Sequence, residues 1–397
     1  MERPNLLDPA IRNDPYPLYA ELRRHRPVCQ VDPGGFYVVA RYDDVLYVLK
    51  NPQRFSSRAA SDLLKPAWLD RNPLASSLVM HDPPAHARLR ALVQPAFGPR
   101  ARARLERQVS ATAQELGDQL VALGEADFIE HFALRLPATV ICHILGLDPE
   151  RVPQLRRWAA AIASIISAPA DPARLAEIRA HLLEMEAHLR EVIAARRQHP
   201  EDDMISDLLS SRPETGGAGM DEEEVLSFLF LVVPASFQTT TGLLVNAVRM
   251  LIARPQDHDR LMAEPGRIPA FIEEVLRYDA PVQNLSRLVV EDTELRGVLI
   301  PRGAFLFALL GSANRDESQF PDPDRFDMDR GPTRHLAFGH GIHYCMGEGL
   351  ARLEGRIGLS VLLERFGRFE ARFESLTWSQ SLTSRIPLAM PLRYIQR

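Results

Sequence analysis

The sequence predicts a mainly α-helical fold with small β-sheets. Long stretches rich in Ala, Leu, Arg and Glu follow a helical period, and these residue types have high helix propensity. Strand-like runs are brief and lie between these stretches. The longest helical stretch, residues 221–253, would extend about 50 Å at a rise of about 1.5 Å per residue, enough to cross the whole molecule.

The predicted elements follow one another without an internal repeat or a low-complexity linker. Near the N-terminus, residues 15–26 and 42–50 have helical spacing, and 36–40 form a short β run between them. Further helices are predicted at 100–122, 133–146, 150–168, 173–198, 221–253, 268–278 and 346–366, and strands near 287–290, 297–300, 304–310 and 391–395. We therefore expect one catalytic domain over residues 1–397.

The start of the longest helix has a clear local signal. A flexible glycine-rich break at 216–219 precedes it, and Asp221 and Glu224 have the spacing of a capping box. Pro234 lies inside the helix, where it removes a backbone donor and is expected to bend the helix locally.

Composition excludes several classes of protein. The chain has 397 residues and a net charge of −5, which gives no reason to expect nucleic-acid binding. Its three cysteines show no spacing typical of a disulfide framework or a zinc site, which fits a reducing cytoplasm. There is no signal-like N-terminus and no run of about 18 uncharged apolar residues, so we expect a cytoplasmic protein without a membrane anchor.

The most informative segment is the loop at 338–347, which places Cys345 among glycines directly before a predicted helix. Glycine allows a tight loop that a flat cofactor can approach closely. A cysteine at a helix N-terminus has its thiolate favoured by the helix dipole and by free N–H groups. This combination favours a permanently ionised sulfur bound to a metal.

The loop resembles the haem-binding loop of the cytochromes P450, and further segments extend the resemblance over nearly the whole chain. The resemblance implies a cytochrome P450 fold whose long central helix crosses haem b (iron protoporphyrin IX), with Cys345 as the axial thiolate ligand. It also implies that Phe338 packs beside the sulfur and that Gly339 and Gly347 allow close approach. His340 and His343 are not expected to bind the iron, because the thiolate already fills that position.

A structural cluster is implied on the side of the haem that carries the cysteine. Glu274 and Arg277 are three residues apart on a predicted helix, so their side chains share a face. The family completes this pair with a later arginine, and Arg325 occupies that place in the sequence. We expect these three residues to form a buried structural cluster rather than a catalytic one.

The haem propionates need cationic or hydrogen-bonding partners. The resemblance assigns this role to His86, Arg90, Arg287 and His335. His86 and Arg90 are four residues apart and project from one helical face. A further group of arginines forms either a basic patch for an acidic electron donor or an ordinary solvated face: Arg88, Arg100, Arg102, Arg104 and Arg107.

The long helix departs from the family pattern. Thr239 matches the family's proton-delivering alcohol, but Gln238 replaces the acid and Ser236 replaces a glycine. An amide cannot titrate near neutral pH, although it can hydrogen-bond and hold a water molecule. Either Thr239, Ser236 and ordered water supply the protons and ordinary hydroxylation survives, or impaired delivery favours peroxide-driven chemistry, coupling, desaturation or rearrangement. We favour the first.

The resemblance implies a monooxygenase that takes O2 and a small hydrophobic substrate and receives electrons from a ferredoxin and an NAD(P)H-dependent ferredoxin reductase. Family topology assigns a mainly apolar pocket to Val79, Val233, Phe237, Val282, Asn284, Leu285, Leu382 and Thr383. This lining favours a terpenoid or a steroid, and leaves fatty acids, polyketides and cyclic dipeptides open. We expect a monomer. The alternative from a different class is a haem-thiolate sensor or binding protein without turnover.

Overall fold

A computed structural model describes residues 3–58, 68–167, 171–213 and 216–397. The fold is mainly α-helical with small sheets, as predicted. The helices are α1 Pro9–Asn13, α2 Tyr16–His25, α3 Tyr42–Lys50, α4 Ala85–Val93, α5 Pro99–Leu123, α6 Arg135–Ile144, α7 Val152–Ser167, α8 Pro172–Gln198, α9 Met204–Ser210, α10 Glu222–Ala253, α11 Pro255–Ala263, α12 Ile268–Tyr278, α13 Leu310–Ala313 and α14 Glu348–Arg365.

In the described part of the chain, ten short strands form three sheets. They are β1 Val28–Val31, β2 Phe36–Val39, β3 Phe55–Ser56, β4 Glu125–Asp127, β5 Leu285–Val289, β6 Thr293–Leu295, β7 Val298–Ile300, β8 Phe305–Ala308, β9 Phe366–Ala371 and β10 Pro391–Gln396. The largest sheet has the order β1-β2-β8-β5-β3, in which only β2 and β8 pair in parallel. The others have the orders β4-β10-β9 and β6-β7.

The chain divides into two compact units. Unit 1 comprises Met1–Ser56, Val109–Leu136 and Thr239–Arg397, and it contains all three sheets together with α12 and α14. Its core includes buried side chains of α3, β2, β5 and β8. Unit 2 comprises Ser57–Gln108 and Pro137–Gln238. It contains α4, α7, α8 and α9, together with parts of α5, α6 and α10, which it shares with unit 1.

Most of the predicted helices lie within a few residues of their observed bounds, but several short elements have no predicted counterpart, among them α9, α11, β1 and β9. The predicted strand 304–310 ends at Ala308, because a short helix begins at Leu310. The predicted helix 346–366 ends at Arg365, since Phe366 is already the first residue of β9. Tertiary pairing decides such ends, and helical period alone does not report it.

α10 begins with the predicted capping box. Asp221 Oδ1 accepts from Glu224 N–H at 2.8 Å, and Glu224 Oε2 accepts from Asp221 N–H at 3.0 Å. The helix continues through Pro234 without interruption. By length and composition α10 could also cross a membrane, which the sequence prediction did not expect, but 67% of its most apolar window is buried inside the protein. That burial is typical of a core helix.

Candidate functional site

The loop that carries Cys345 folds as a tight series of turns directly before α14. Gly339 N–H donates to the carbonyl of Leu336 at 2.8 Å, and Cys345 N–H donates to the carbonyl of Phe338 at 3.0 Å. Between them, Gly341–His343 form a single 3-10 turn. Cys345 is half-buried and is not part of a disulfide.

Glycines make this loop possible. Gly339 and Gly341 have φ angles of 70° and 73°, a region that side-chain-bearing residues rarely adopt. A Cβ atom on Gly341 would lie 2.5 Å from the backbone oxygen of Leu49, so the loop lies directly against the end of α3. A Cβ on Gly347 would lie 4.0 Å from the Cys345 sulfur, which is ordinary contact distance.

Part of the predicted apolar pocket lies beside this loop in unit 1. A Cβ on Gly339 would lie 3.2 Å from Leu285 Cδ1, so the start of β5 contacts the cysteine loop. Next to it, Asn284 donates from Nδ2 to the carbonyl of Leu382 at 2.6 Å. Asn284 is 1% exposed, and its Oδ1 has no hydrogen-bond partner among the described residues. The structure brings together the pocket residues Val282, Asn284, Leu285, Leu382 and Thr383.

Unit 2 holds a second group of predicted site residues. Val79 lies in the 3-10 turn Leu78–Met80, and the preceding segment is tied to α10 through Ser227. The Ser227 hydroxyl donates to the carbonyl of Pro73 at 2.7 Å and accepts from Ser76 N–H at 3.1 Å. On α10 itself, Val233 and Phe237 are buried, while Ser236 and Gln238 are half-buried.

α4 in unit 2 carries His86 and Arg90 on one face. His86 is 2% exposed, and burial together with the neighbouring charge of Arg90 lowers its pKa. Its imidazole is therefore neutral near pH 7 and can donate a single hydrogen bond. Of the arginines that the sequence suggested as a basic patch, Arg88 pairs with Glu224 and Arg104 pairs with Asp202, while the side chains of Arg100 and Arg102 lie outside the described residues.

Glu274 and Arg277 form a buried, bidentate ion pair on α12. Arg277 Nε donates to Glu274 Oε2 at 2.8 Å, and Nη2 donates to Oε1 at 2.7 Å. The remaining N–H groups of Arg277 donate to backbone carbonyls of Asn314, Pro323 and Arg325. The pair thus fastens α12 to the loop at 321–330.

The prediction that the Arg325 guanidinium joins this cluster is wrong. The Arg325 side chain is 64% exposed and pairs with Asp327 at 2.6 Å. Arg330 joins instead, with Nε 3.3 Å from Glu274 Oε1 and a side chain only 10% exposed. Arg325 contributes its backbone carbonyl, which accepts from Arg277 and Arg330, because the loop turns its side chain toward solvent.

The prediction that His335 binds a propionate is also not supported. Its Nε2 lies 3.1 Å from Glu273 Oε2, and its Nδ1 accepts from Ala337 N–H at 3.3 Å. Both ring nitrogens are therefore engaged within the protein. Glu273 also accepts two hydrogen bonds from Arg352, whose guanidinium carbon lies 4.5 Å from the centre of the Phe338 ring. His335 and Arg352 thus connect α12, α14 and the cysteine loop through one carboxylate.

Comparisons with known proteins identify the family. The family model for cytochrome P450 matches residues 19–376. This chain belongs to the cytochrome P450 family. It is 38% identical to the erythromycin C-12 hydroxylase of Saccharopolyspora erythraea over 87% of this chain and 86% of that protein.

Solved P450 structures agree with this assignment over almost the full length. Cytochrome P450 CYP109Q5 from Chondromyces apiculatus superposes with a TM-score of 0.91 at 37% identity, covering 99% of this chain and 98% of that one. CYP109E1 from Bacillus megaterium, solved in complex with testosterone, has a TM-score of 0.85 at 34% identity, covering 96% of this chain and 99% of that one. As a P450, the protein is a monooxygenase that uses haem with a cysteine thiolate as axial ligand.

The residues present fit this cofactor. A haem of this type needs one strong protein ligand, and Cys345 offers a cysteine sulfur that is not part of a disulfide. No cluster of three or more His, Cys, Asp or Glu suited to a metal ion occurs in the part of the chain that the structure describes. The left-handed glycines of the loop allow the tight turns that precede Cys345. When bound, the haem supplies the iron centre at which O2 is activated.

Arg287 is the remaining predicted propionate partner in unit 1. It lies on β5, is 8% exposed, and donates from Nη1 to the carbonyl of Ser286 at 2.7 Å. A guanidinium presents its N–H donors in a planar fork, the geometry that binds a carboxylate. We propose Arg287, His86 and Arg90 for the propionates.

Sequence reasoning missed four residues around the site: Glu273, Arg330, Arg352 and Glu354. Arg352 had a local signal, because Glu348 lies four residues before it on α14 and forms an ion pair with it. Arg330 had no such local signal, because only the fold of the loop brings its side chain to Glu274. Glu354 stands among the apolar residues of α14, where a buried carboxyl could be suspected but its partner could not be inferred.

Proposed function

We propose that this P450 inserts one oxygen atom of O2 into a C–H bond of a compact hydrophobic substrate, with a steroid or a terpenoid favoured. The contact between Leu285 and the cysteine loop at Gly339 carries the proposal. It supports an apolar wall from Val282 to Leu285 beside the reaction centre, closed by Leu382. The similar CYP109E1 was solved with testosterone, which supports a steroid-sized substrate.

Asn284 places a polar side chain in this otherwise apolar wall. A buried amide oxygen without a partner costs free energy that a ligand hydroxyl can recover. We propose that Asn284 accepts a hydrogen bond from the substrate and so selects compounds that carry a hydroxyl group. A steroid alcohol meets this requirement and a plain hydrocarbon does not.

A spectral titration of the ferric protein tests the substrate class. A substrate that displaces water from the iron moves it to the high-spin state, so binding appears directly in the optical spectrum. We expect hydroxylated steroids or terpenoids to produce this shift and matched hydrocarbons to produce a weaker one. An equal high-spin shift with the alcohols and the matched hydrocarbons would contradict the proposed hydrogen bond between Asn284 and a substrate hydroxyl.

A macrolide is the second candidate substrate. The 38% identity to the erythromycin C-12 hydroxylase supports it. Macrolides should therefore be included in the same titration. A spin shift with macrolides alone would replace the steroid and terpenoid proposal.

We propose that Thr239, with Gln238 and Ser236 and ordered water, controls proton delivery, and that ordinary hydroxylation survives the loss of the acid. The alternative is peroxide-driven or otherwise atypical chemistry. A Gln238→Glu variant separates these two possibilities. A marked rise in product formed per NADPH consumed would mean that the missing acid limits the enzyme, and an unchanged ratio supports normal delivery.

We propose that the protein acts as one catalytic domain over residues 1–397 in the cytoplasm, as a monomer. The family model spans 19–376, which supports a single P450 domain. Electrons are proposed to come from a ferredoxin and an NAD(P)H-dependent ferredoxin reductase. Product formation that requires both surrogate proteins, and stops when either is left out, tests this part of the proposal.

The monooxygenase chemistry depends on Cys345 as the thiolate ligand of the haem iron. Replacing Cys345 tests this role directly. A Cys345→Ser variant should lose the thiolate-type spectrum of the reduced, CO-bound protein. Cys29→Ser is the matched control, because Cys29 is likewise half-buried and outside any disulfide, and it lies on β1. Retention of the thiolate-type spectrum in the Cys345→Ser variant would exclude Cys345 as the ligand.

A further inference from the structure

A buried arginine of α1 has no acidic partner. Arg12 is 6% exposed, and no carboxylate lies within ion-pair distance of it in the part of the chain that the structure describes. Four other buried arginines each lie within 3.2 Å of a carboxylate oxygen: Arg23, Arg277, Arg315 and Arg385. A buried charge without an opposite charge costs free energy unless its N–H groups are hydrogen-bonded. The hydrogen bonds of Arg12 must therefore offset this cost.

These hydrogen bonds go to a turn near the other end of the chain. Arg12 Nη2 donates to the carbonyl of Ser384 at 2.7 Å and to that of Ser379 at 2.9 Å. The two carbonyls lie at the ends of residues 379–384, which we call the pocket turn because it contains the predicted pocket residues Leu382 and Thr383. A single nitrogen of Arg12 thus holds both ends of the pocket turn.

The residue after the pocket turn makes the reverse contacts. Arg385 donates from Nε to the carbonyl of Arg12 at 3.0 Å and from Nη2 to that of Asn13 at 2.5 Å. Its Nη1 donates to both carboxylate oxygens of Asp279, at 2.9 and 3.0 Å, and the Tyr16 hydroxyl donates to the same carboxylate at 2.7 Å. α1 and the pocket turn are therefore joined in both directions, with Asp279 as the common anchor.

The pocket turn also contacts the wall formed by the start of β5. Gln283 N–H donates to the carbonyl of Thr383 at 2.7 Å, and Asn284 Nδ2 donates to the carbonyl of Leu382 at 2.6 Å. The Leu382 side chain packs against an apolar cluster that includes Leu6. The turn thus lies between the N-terminal segment and the β5 wall, so a shift at Arg12 would move Leu382 relative to Asn284.

We propose that Arg12 is a positioning residue for substrate recognition, which fixes the pocket turn and thereby the pocket wall at Leu382 and Thr383. Arg12 acts through the turn, because its Nη2 donates to backbone carbonyls of that turn. A wall that is fixed before binding spares the ligand the cost of ordering it. This inference rests on the proposed function, in which these two residues line the pocket.

Hydrogen exchange tests the hold on the pocket turn without any ligand. In the Arg12→Gln holoenzyme, the Gln283 amide should exchange roughly tenfold faster, the factor expected when a hydrogen bond from a charged donor is lost. The Cys345 amide, which donates to Phe338, should keep its rate. Arg24→Gln is the matched control, because Arg24 is 57% exposed and pairs with Glu317. Wild-type exchange at Gln283 in Arg12→Gln would overturn the proposal.

Two azoles test the effect on the pocket, and they need no identified substrate. Imidazole coordinates ferric haem iron and is too small to depend on a distant wall, whereas clotrimazole carries three more aromatic rings that must fit the pocket. Arg12→Gln should weaken clotrimazole binding roughly tenfold and change imidazole binding by less than about twofold, as read from the Soret shift. Equal weakening of both azoles, or no weakening of either, would overturn the proposal.

A double variant distinguishes positioning from general destabilisation. Leu382→Ala removes the side chain that Arg12 is proposed to place. Adding Arg12→Gln to Leu382→Ala should therefore weaken clotrimazole binding by less than about twofold further, since coupled residues do not act independently. Full multiplication of the two single effects would show that Arg12 acts elsewhere.

A conservative variant tests whether the donor itself matters. Arg12→Lys keeps a positive charge with N–H donors, so it should restore most of the clotrimazole affinity lost in Arg12→Gln. An affinity as low as that of Arg12→Gln would contradict the proposed hydrogen bonds. A wild-type protein without a spin shift for any steroid, terpenoid or macrolide would instead reject the proposed function, while exchange and azole binding would still report on Arg12.

Discussion

Arg277 donates two hydrogen bonds, of 2.8 and 2.7 Å, to the carboxylate of Glu274, and neither side chain is more than 3% exposed. Removing one member of such a pair leaves an uncompensated buried charge, which typically costs about 3–5 kcal/mol. The pair is satisfied here because Asp327 N–H and Arg330 also donate to the carboxylate. The pair therefore holds α12 against the loop at 321–330.

Unfolding measurements can test whether the side chain of Arg330, rather than that of Arg325, stabilises the cluster around Glu274. Arg330→Gln should lower the free energy of unfolding by about 2 kcal/mol, because Glu274 and several loop carbonyls lose a buried donor. Arg325→Gln, the matched control, should change it by less than about 0.5 kcal/mol, since its ion pair is exposed. Denaturant unfolding of the two variants measures the difference. The reverse order of effects would restore Arg325 to the cluster.

Gly341 should tolerate no side chain. Gly341→Ala would place an alanine in a left-handed backbone conformation. Its Cβ would lie 2.5 Å from the backbone oxygen of Leu49, so the loop must shift. Gly331→Ala is the control, because Gly331 also has a positive φ of 77° but no atom within 4 Å of the added Cβ. We expect the control to lose about 1–2 kcal/mol of stability from backbone strain alone. Gly341→Ala should lose more and also bind haem less well, as measured by the haem absorbance per protein. Equal haem content in the two variants would contradict this.

Glu273 should contribute an acid-sensitive part of the stability. Burial raises its pKa, but hydrogen bonds from His335 and Arg352 more than offset this and lower the pKa from 4.5 to about 2. A carboxyl whose pKa is lower in the folded state stabilises fully above its unfolded pKa, and this contribution disappears as the pH falls toward the folded pKa. Between pH 4.5 and 2, the stability of Glu273→Gln should therefore fall less steeply than that of the wild type. Urea unfolding at a series of pH values tests this, with Glu364→Gln expected to follow the wild type. Parallel wild-type and Glu273→Gln curves would argue against the pairing.

Arg71 should control how quickly substrate enters. In unit 2 it ties the segment before Val79 to α8 through Glu186 at 2.7 Å, and to α10 through Glu223. Because this pairing is exposed, Arg71→Gln should cost less than about 1 kcal/mol of stability. The same change should speed the substrate-induced spin shift in stopped-flow mixing, and added salt should speed the wild type in the same way. Arg174→Gln is the control, since Arg174 pairs with Glu177 within α8. Equal association rates in both variants would show that the segment is not held by Arg71.

Most of the long helices and the chemical centre of this P450 could be predicted from the sequence alone. Helical period and capping residues are local properties, so α10 and its capping box at Asp221 and Glu224 could be predicted from them. The glycine-rich loop before α14 identified Cys345 for the same reason, because its conformation depends on residues that are neighbours in sequence.

The tertiary structure decided which distant side chains meet. Nothing local distinguishes Arg325 from Arg330, since only the path of their loop turns one outward and the other toward Glu274. The sequence favours a propionate as the partner of His335, whereas in the fold its Nε2 lies beside Glu273. The pairing of Glu354 with Thr240 likewise depends on two helices packing through glycine, a contact across more than a hundred residues of sequence that no periodicity records.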